Sequence, residues 1–352
     1  MNKNQIIMKT HKTKLAFLFG MLFLPIVTLQ AQTYDELRLT IGQLEAKNKK
    51  LEEKNQKLDA QLKKCQRKSS NGNCDELQAE NNRLNNEIDN LMAKLADDSS
   101  SNSSGEKTPL VIKDPVFKAY LLRYCDMDND GEITTWDAEH TYVIDIAKDK
   151  SLLKKQEDVK SLDGIEYFVN LKKLVCSGNA IPQIDLSSNV NLETLIANGC
   201  ELKLLNVSKN GNLVRLQCSN NLLYTIDLSS NSNLQQLDLY KNKLAVLDLS
   251  GCTKLKTIIC AYNTLTSMDV SHNVELESIN CSSNKLVQLS FVNNSKLVDI
   301  DISNNNLVSV DLRNEIDIHY LDCTKNKNLE YVILSKDRTV FADRRDPKTQ
   351  YK

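Results

Sequence analysis

The chain has 352 residues, with 45 basic and 46 acidic side chains and a formal net charge of -1. That balance excludes both the basic excess of a nucleic-acid binder and the acidic excess of a disordered solvating tail. Four widely separated histidines (His11, His140, His272, His319) argue against histidine-held metals and histidine-based triads, and a hydrophobic fraction of 41% with 5% aromatics requires an aliphatic core.

Residues 1–31 have the layout of a signal peptide. Lys9, His11, Lys12 and Lys14 precede an apolar run, Leu15 to Leu29, that is too short for a comfortable permanent span, and Leu29-Gln30-Ala31 fits cleavage after Ala31. No later stretch is long and apolar enough for a second membrane helix. The expectation is an exported protein with no transmembrane segment after signal removal, placed in the periplasm, on the cell surface or outside the cell.

Residues 32–98 are expected to form a coiled-coil stalk with a break near 66–74. Leu37, Leu44, Leu51 and Leu58 recur every seven residues at d positions and are followed by Cys65, while Ile41, Asn48, Asn55 and Leu62 take the a positions. Lys47 and Lys54 at g face Glu52 and Asp59 at e of a parallel partner, so the seam fits a parallel homodimer. A second d series, Leu77, Leu84 and Leu91, follows the loop-like Ser69-Ser70-Asn71-Gly72-Asn73, so a helical hairpin closed by a Cys65–Cys74 disulfide competes with the dimer. The Ser-rich segment 99–109 reads as a flexible linker.

Residues 110–158 are expected to be a small helical cap. Its loop Asp126 to Asp137 has calcium-loop spacing: Asp126, Asp128 and Asp130 supply carboxylates, Gly131 permits the sharp turn, Glu132 offers its backbone carbonyl, and Ile133 anchors the loop in a core. Oxygen-only donors at positions 1, 3 and 5 suit a hard cation, so a structural Ca2+ is expected; the other reading is an Asp/Asn-rich turn without metal. The twelfth position is Asp137 rather than the bidentate glutamate of EF-hands. In this the loop looks like dockerin-type extracellular loops, which implies a staple rather than a sensor.

From Leu171 the sequence repeats every 21 residues, with units starting at Leu171, Leu192, Leu213, Leu234, Leu255, Leu276 and Leu297 and an eighth at Ile318. The pattern is L-x-x-L-x-C-x-x-N-x-L-x-x-I-D-L-S-x-N-x-x. Units this short cannot bury their own leucines, so neighbours must stack around one shared spine. The pattern resembles the leucine-rich repeat family, in particular its bacterial nested 21-residue (IRREKO) type. That resemblance implies a β-rich solenoid of short parallel strands stacked along the coil over 159–338, with a strand in each half-turn. Residues 159–170 resemble the first coil of such proteins, and the charged segment 339–352 is expected to be a C-terminal cap or tail.

Asparagine recurs after the first strand (Asn179, Asn221, Asn242, Asn263, Asn284, Asn305, Asn326) and after the second (Asn189, Asn210, Asn231, Asn273, Asn294), as ladders that satisfy turn backbone. Cys176, Cys218, Cys260, Cys281 and Cys323 share the sixth, inward position, while Cys200 and Cys252 replace ladder asparagines. Packed thiols are the expectation there, which leaves Cys65, Cys74 and Cys125 as candidates for oxidation.

Outward positions carry any binding function. Arg215, Tyr224, Tyr240, Tyr262 and Tyr320 are the candidate contact residues, since aromatics beside arginine suit a protein-binding surface. Asp185, Asp227, Asp248, Asp269 and Asp311 form an acidic row, read either as a cation- or base-recruiting stripe or as a solvated turn motif. No catalytic constellation appears, so the expected function is non-enzymatic: an exported protein presenting its repeat surface to a protein, or alternatively a host or other glycan, from an oligomerising stalk. The alternative is a structural envelope or matrix component in which the coiled coil is the functional part.

Overall fold

The computed structural model describes residues 49–51, 53, 54, 57, 107–148, 157–313, 318–334 and 340–351. Lys49, Lys50, Leu51, Glu53, Lys54 and Lys57 are helical, and Leu51 is the one seam position among them. The other seam residues, the signal segment and the Cys65–Cys74 question lie outside the described residues.

Each 21-residue unit turns once and places its first, fourth, sixth, eleventh, fourteenth and sixteenth residues inward. In the unit from Leu213 these are Leu213, Leu216, Cys218, Leu223, Ile226 and Leu228, all buried. The fourth residue centres a three-residue strand. Strands β2 (Lys173–Val175), β3 (Thr194–Ile196), β4 (Arg215–Gln217), β5 (Gln236–Asp238), β6 (Thr257–Ile259), β7 (Ser278–Asn280) and β8 (Asp299–Asp301) therefore recur with the sequence period. They pair in parallel with Leu174, Leu195, Leu216, Leu237, Ile258, Ile279 and Ile300 in register. Parallel strands this short hold only because each lies between two others and its central side chain enters a continuous core.

The eighth residue of each unit must reverse the chain through a left-handed conformation. Gly178 and Gly199 adopt it without penalty, but so do Asn220, Lys241, Tyr262, Ser283, Asn304 and Lys325, with φ between 53° and 59°. The ninth residue then locks the turn. Asn263 donates from Nδ2 to the carbonyls of Leu239 (2.9 Å) and Cys260 (3.0 Å), and its Oδ1 accepts from Leu244 N–H (3.0 Å). The second ladder is less complete. Asn231 donates to Val207 and Asn210 carbonyls (3.2 and 2.9 Å), but the Oδ1 atoms of Asn189, Asn210, Asn231, Asn273 and Asn294 are buried without a protein partner.

The solenoid is longer at both ends than the sequence pattern suggests. Strand β1 (Val143–Asp145) belongs to the segment assigned to the helical cap, yet it pairs with β2 as the first strand of a ten-stranded sheet. The reason is the alternation in Val143-Ile144-Asp145-Ile146, which buries Ile144 and Ile146. At the far end, β10 (Ile318–Asp322) is followed by β12 (Val340–Arg344), which closes the same sheet, so the charged tail begins with one more coil.

The expectation of a strand in each half-turn is met only in part. β9 (Ser309–Leu312), β11 (Tyr331–Leu334) and β13 (Gln350–Tyr351) form a separate three-stranded sheet. Elsewhere among the described residues the second half-turns show only two bridges, Asn206 to Asp227 and Ser290 to Asp311. In those half-turns Oδ1 of Asp185, Asp227, Asp248 and Asp269 accepts from the N–H two residues on, at 2.8–2.9 Å, a local contact that shapes the turn after the motif. That contact also holds these carboxyls below the usual range, and the acidic row is first of all a turn-forming device.

The cap has no core of its own. Helix α1 (Pro115–Tyr124) buries Phe117 and Leu121 in the same apolar cluster as the solenoid leucines, together with Ile133, Leu162, Ile165 and Phe168. Asp114 ties the two parts together. One carboxylate oxygen caps α1 through Val116 and Phe117 N–H (2.9 Å each), and the other accepts from Lys160 N–H at 2.8 Å. Tyr120 Oη accepts from Asp145 N–H (2.9 Å), which occupies a donor on the exposed edge of β1.

Candidate functional site: an acidic loop and an exposed strand face

The acidic loop leaves α1 at Cys125 and ends in helix α2 (Thr135–Glu139). Gly131, at φ 86°, takes the bend, and Ile133 is buried as the anchor. Carboxylate oxygens of Asp126, Asp128 and Asp130 lie within 4.8 Å of one another. Each also braces the loop: Asp126 Oδ2 accepts from Gly131 N–H (3.1 Å) and Asp130 Oδ1 from Glu132 N–H (2.8 Å). Asp126 Oδ1 remains buried with no protein partner.

Two of the five sequence-nominated ligands stand outside that trio. The Glu132 side chain is exposed, in keeping with a backbone-only role. Asp137 is fully buried. Its Oδ1 accepts from Met127 N–H (2.9 Å), and its Oδ2 from Thr134 N–H (3.0 Å) and Oγ1 (2.7 Å), so it fastens the two ends of the loop together. Calcium loops usually pair their short central strand with a second loop. Here the chain supplies its own partner: Leu110 N–H donates to Ile133 O (2.7 Å), Thr135 N–H to Thr108 O (2.9 Å), and Pro109 bridges Thr134. The donor set is all oxygen, preorganised and incompletely satisfied, and it fits a hard divalent cation.

The exposed face of the ten-stranded sheet is built from the first and third residues of the repeat strands and, past the buried sixth position, from residues of the turn that follows. Arg215 on β4 is exposed. Tyr240 and Tyr262 leave β5 and β6 and meet edge to face with centroids 5.3 Å apart, and Tyr262 is 54% exposed although its backbone is left-handed. A bulky residue in that conformation is uncommon. Tyr320 lies on β10 with its hydroxyl donating to Asp322 at 3.3 Å. Asp322 is only 6% exposed, beneath Tyr320 and Arg344.

Tyr224 does not join this face. It belongs to the second half-turn, where it and Leu204, Val246, Val287 and Val308 are all about half exposed or more. These apolar residues follow the eleventh-position leucine in five units and are interrupted at Thr266 and Ser267 of the unit from Leu255. The sequence carried the signal, but Leu204 and Val246 stand at the thirteenth position and Tyr224, Val287 and Val308 at the twelfth, so a search at one fixed position misses it.

The eight cysteines among the described residues are free and buried. Cys125, expected to be open to oxidation, is enclosed beneath α1 instead, and burial pushes its thiol up to about 12. No helix among the described residues is long and apolar enough to cross a membrane.

No protein-family model matches the chain, and no curated protein matches it. Among solved structures it is similar to the functional domain of InlJ from Listeria monocytogenes, which includes a cysteine ladder, at 24% identity over 66% of this chain and 58% of that one (TM-score 0.46). It is similar also to the internalin InlF from the same organism, at 17% identity over 69% of this chain and 98% of that one (TM-score 0.37). A third is YopM from Yersinia enterocolitica, at 20% identity over 52% and 47% (TM-score 0.36). The chain thus spans 58% of the length of the InlJ domain.

Proposed function

We propose that this chain is an exported, non-enzymatic binding protein that engages a protein partner with the exposed face of its ten-stranded sheet. The observation that carries the reading is the contrast between the two sides of each strand. The central inward residue is leucine or isoleucine in β1 to β8 and in β10. The outward ones run from Lys173 and Thr194 through Arg215, Gln217, Asp238 and Ile259 to Asn280 and Asp299. A rigid scaffold with a chemically varied surface suits recognition, and the Tyr240–Tyr262 pair, together with Arg215 on the same sheet face, supplies the residue types that dominate binding energy. The heptad stalk, as a parallel homodimer, would display two such faces and raise avidity; a glycan partner and a purely structural role of the stalk are the competing readings.

The acidic loop is proposed to bind one Ca2+ through Asp126, Asp128 and Asp130, with the Glu132 carbonyl and Asp137 completing and bracing the site. The cation would neutralise three converging carboxylates and stiffen the junction between cap and first coil.

The binding reading is tested by comparing a Arg215→Ala/Tyr240→Ala/Tyr262→Ala variant with a Leu204→Ser/Tyr224→Ser/Val246→Ser variant, both folded by circular dichroism. Binding to the captured partner is expected to fall at least about tenfold in the first and to persist in the second. The opposite pattern moves recognition to the apolar row of the second half-turns. A glycan array and a hydrolase screen on the same protein test the other readings.

A further inference from the structure

Lys107 is the residue at which the upstream segment reaches the cap, and its ammonium lies on the Asp128 carboxylate. It also stands over the ring of Trp136, 5.0 Å from the centroid. Thr108 and Leu110, immediately after it, are hydrogen-bonded to the far side of the loop, so the backbone there is anchored and the lysine is aimed at the acidic trio. A cation is therefore already present at the loop, covalently attached. Its charge answers one carboxylate of three, and the buried Asp126 Oδ1 stays without a partner.

We propose that Lys107 is a built-in competitor for the loop's cation, holding Asp128 until calcium displaces it and thereby setting the calcium concentration at which the site fills. A divalent ion bound by the trio needs the Asp128 carboxylate that Lys107 holds, and two cations on one carboxylate repel. Calcium binding therefore includes the loss of the Lys107 contact with Asp128 and of its position over Trp136. Affinity is lowered as a result, which suits a loop that works where calcium is abundant. The inference rests on the calcium reading of the loop and adds to it the residue that tunes it.

Trp136 is the sole tryptophan of the chain, so its emission reports the ammonium leaving its ring. Calcium is titrated by calorimetry and by Trp136 emission into the full chain as wild type, Lys107→Gln and Lys107→Arg. Lys107→Gln is expected to bind calcium about three- to tenfold more tightly, with the calcium-dependent emission change largely lost; Lys107→Arg keeps both near wild type. Equal or weaker binding by Lys107→Gln, with wild type still binding, overturns the competition and leaves the calcium site standing. If no form binds calcium, the site reading fails and the competition with it.

Discussion

Replacing Asn263 by alanine should destabilise the protein by about 3 kcal/mol, against about 1 kcal/mol for Asn231→Ala, although both are buried ladder asparagines. Leu244 N–H donates to Asn263 Oδ1 and to no other group among the described residues, so the loss of Asn263 strands a buried donor, which alone costs about 1–3 kcal/mol. The carbonyls it serves are less exposed to the change, because Asn242 also donates to Leu239 O and Asn284 to Cys260 O. Asn231 leaves nothing stranded. Val207 O still accepts from Asn210 N–H, and Asn210 O from Leu213 N–H. Its own Oδ1, unpartnered and buried, disappears with it. Chemical denaturation of the two variants measures the difference; equal midpoints would contradict the view that the first ladder locks the turns and the second merely lines them. The same logic predicts a gain of about 1 kcal/mol for Cys200→Asn, where the thiol now makes weak contacts to Cys176 O (3.2 Å) and Asn198 O (3.7 Å) in place of the amide's set.

Calcium should raise the thermal midpoint by about 3–5 °C at millimolar concentration, and Asp126→Asn should abolish the shift. With an affinity near about 10⁻⁴ M, as extracellular loops have, about 1 mM calcium stabilises the folded state by about 1.4 kcal/mol. Because the cap shares its core with the first coils, the effect is expected in the whole cooperative transition and not in a separate early step. Hydrogen exchange should slow at Gly131, Leu110 and Thr135, whose amides bond within the loop or across to it. A shift that survives Asp126→Asn would place the calcium elsewhere; no shift in wild type would leave the loop as a turn braced by its own aspartates.

Much of the solenoid was legible because its physics repeats. Leucine at the first and fourth positions and asparagine at the ninth mean the same thing in every unit, so register and burial followed from spacing. What escaped were single events at the ends. Val143-Ile144-Asp145-Ile146 has the alternation of a strand but no 21-residue partner upstream, and only its pairing with Lys173–Val175 reveals it. The strand Val340–Arg344 is equally out of pattern, since a charged sequence can still pair through its backbone. The second half-turns differed in the other direction: I-D-L-S reads as a strand in every unit, yet among the described residues only Ser309–Leu312, Tyr331–Leu334 and Gln350–Tyr351 pair there as a sheet. At the acidic loop, spacing identified the trio but not Asp137's complete engagement or the arrival of Lys107 from 21 residues away. Long-range contacts of that kind leave no local mark.

Recognition by the sheet face is the claim most open to a direct measurement. A photo-crosslinking side chain is introduced singly at Gln217, Ile259 and Asn280 on that face, and at Val246 and Val287 on the apolar row, and the products are identified by mass spectrometry. One and the same protein joined to the three sheet positions, and absent from the other two, is the predicted result. Adducts confined to Val246 and Val287 would contradict it.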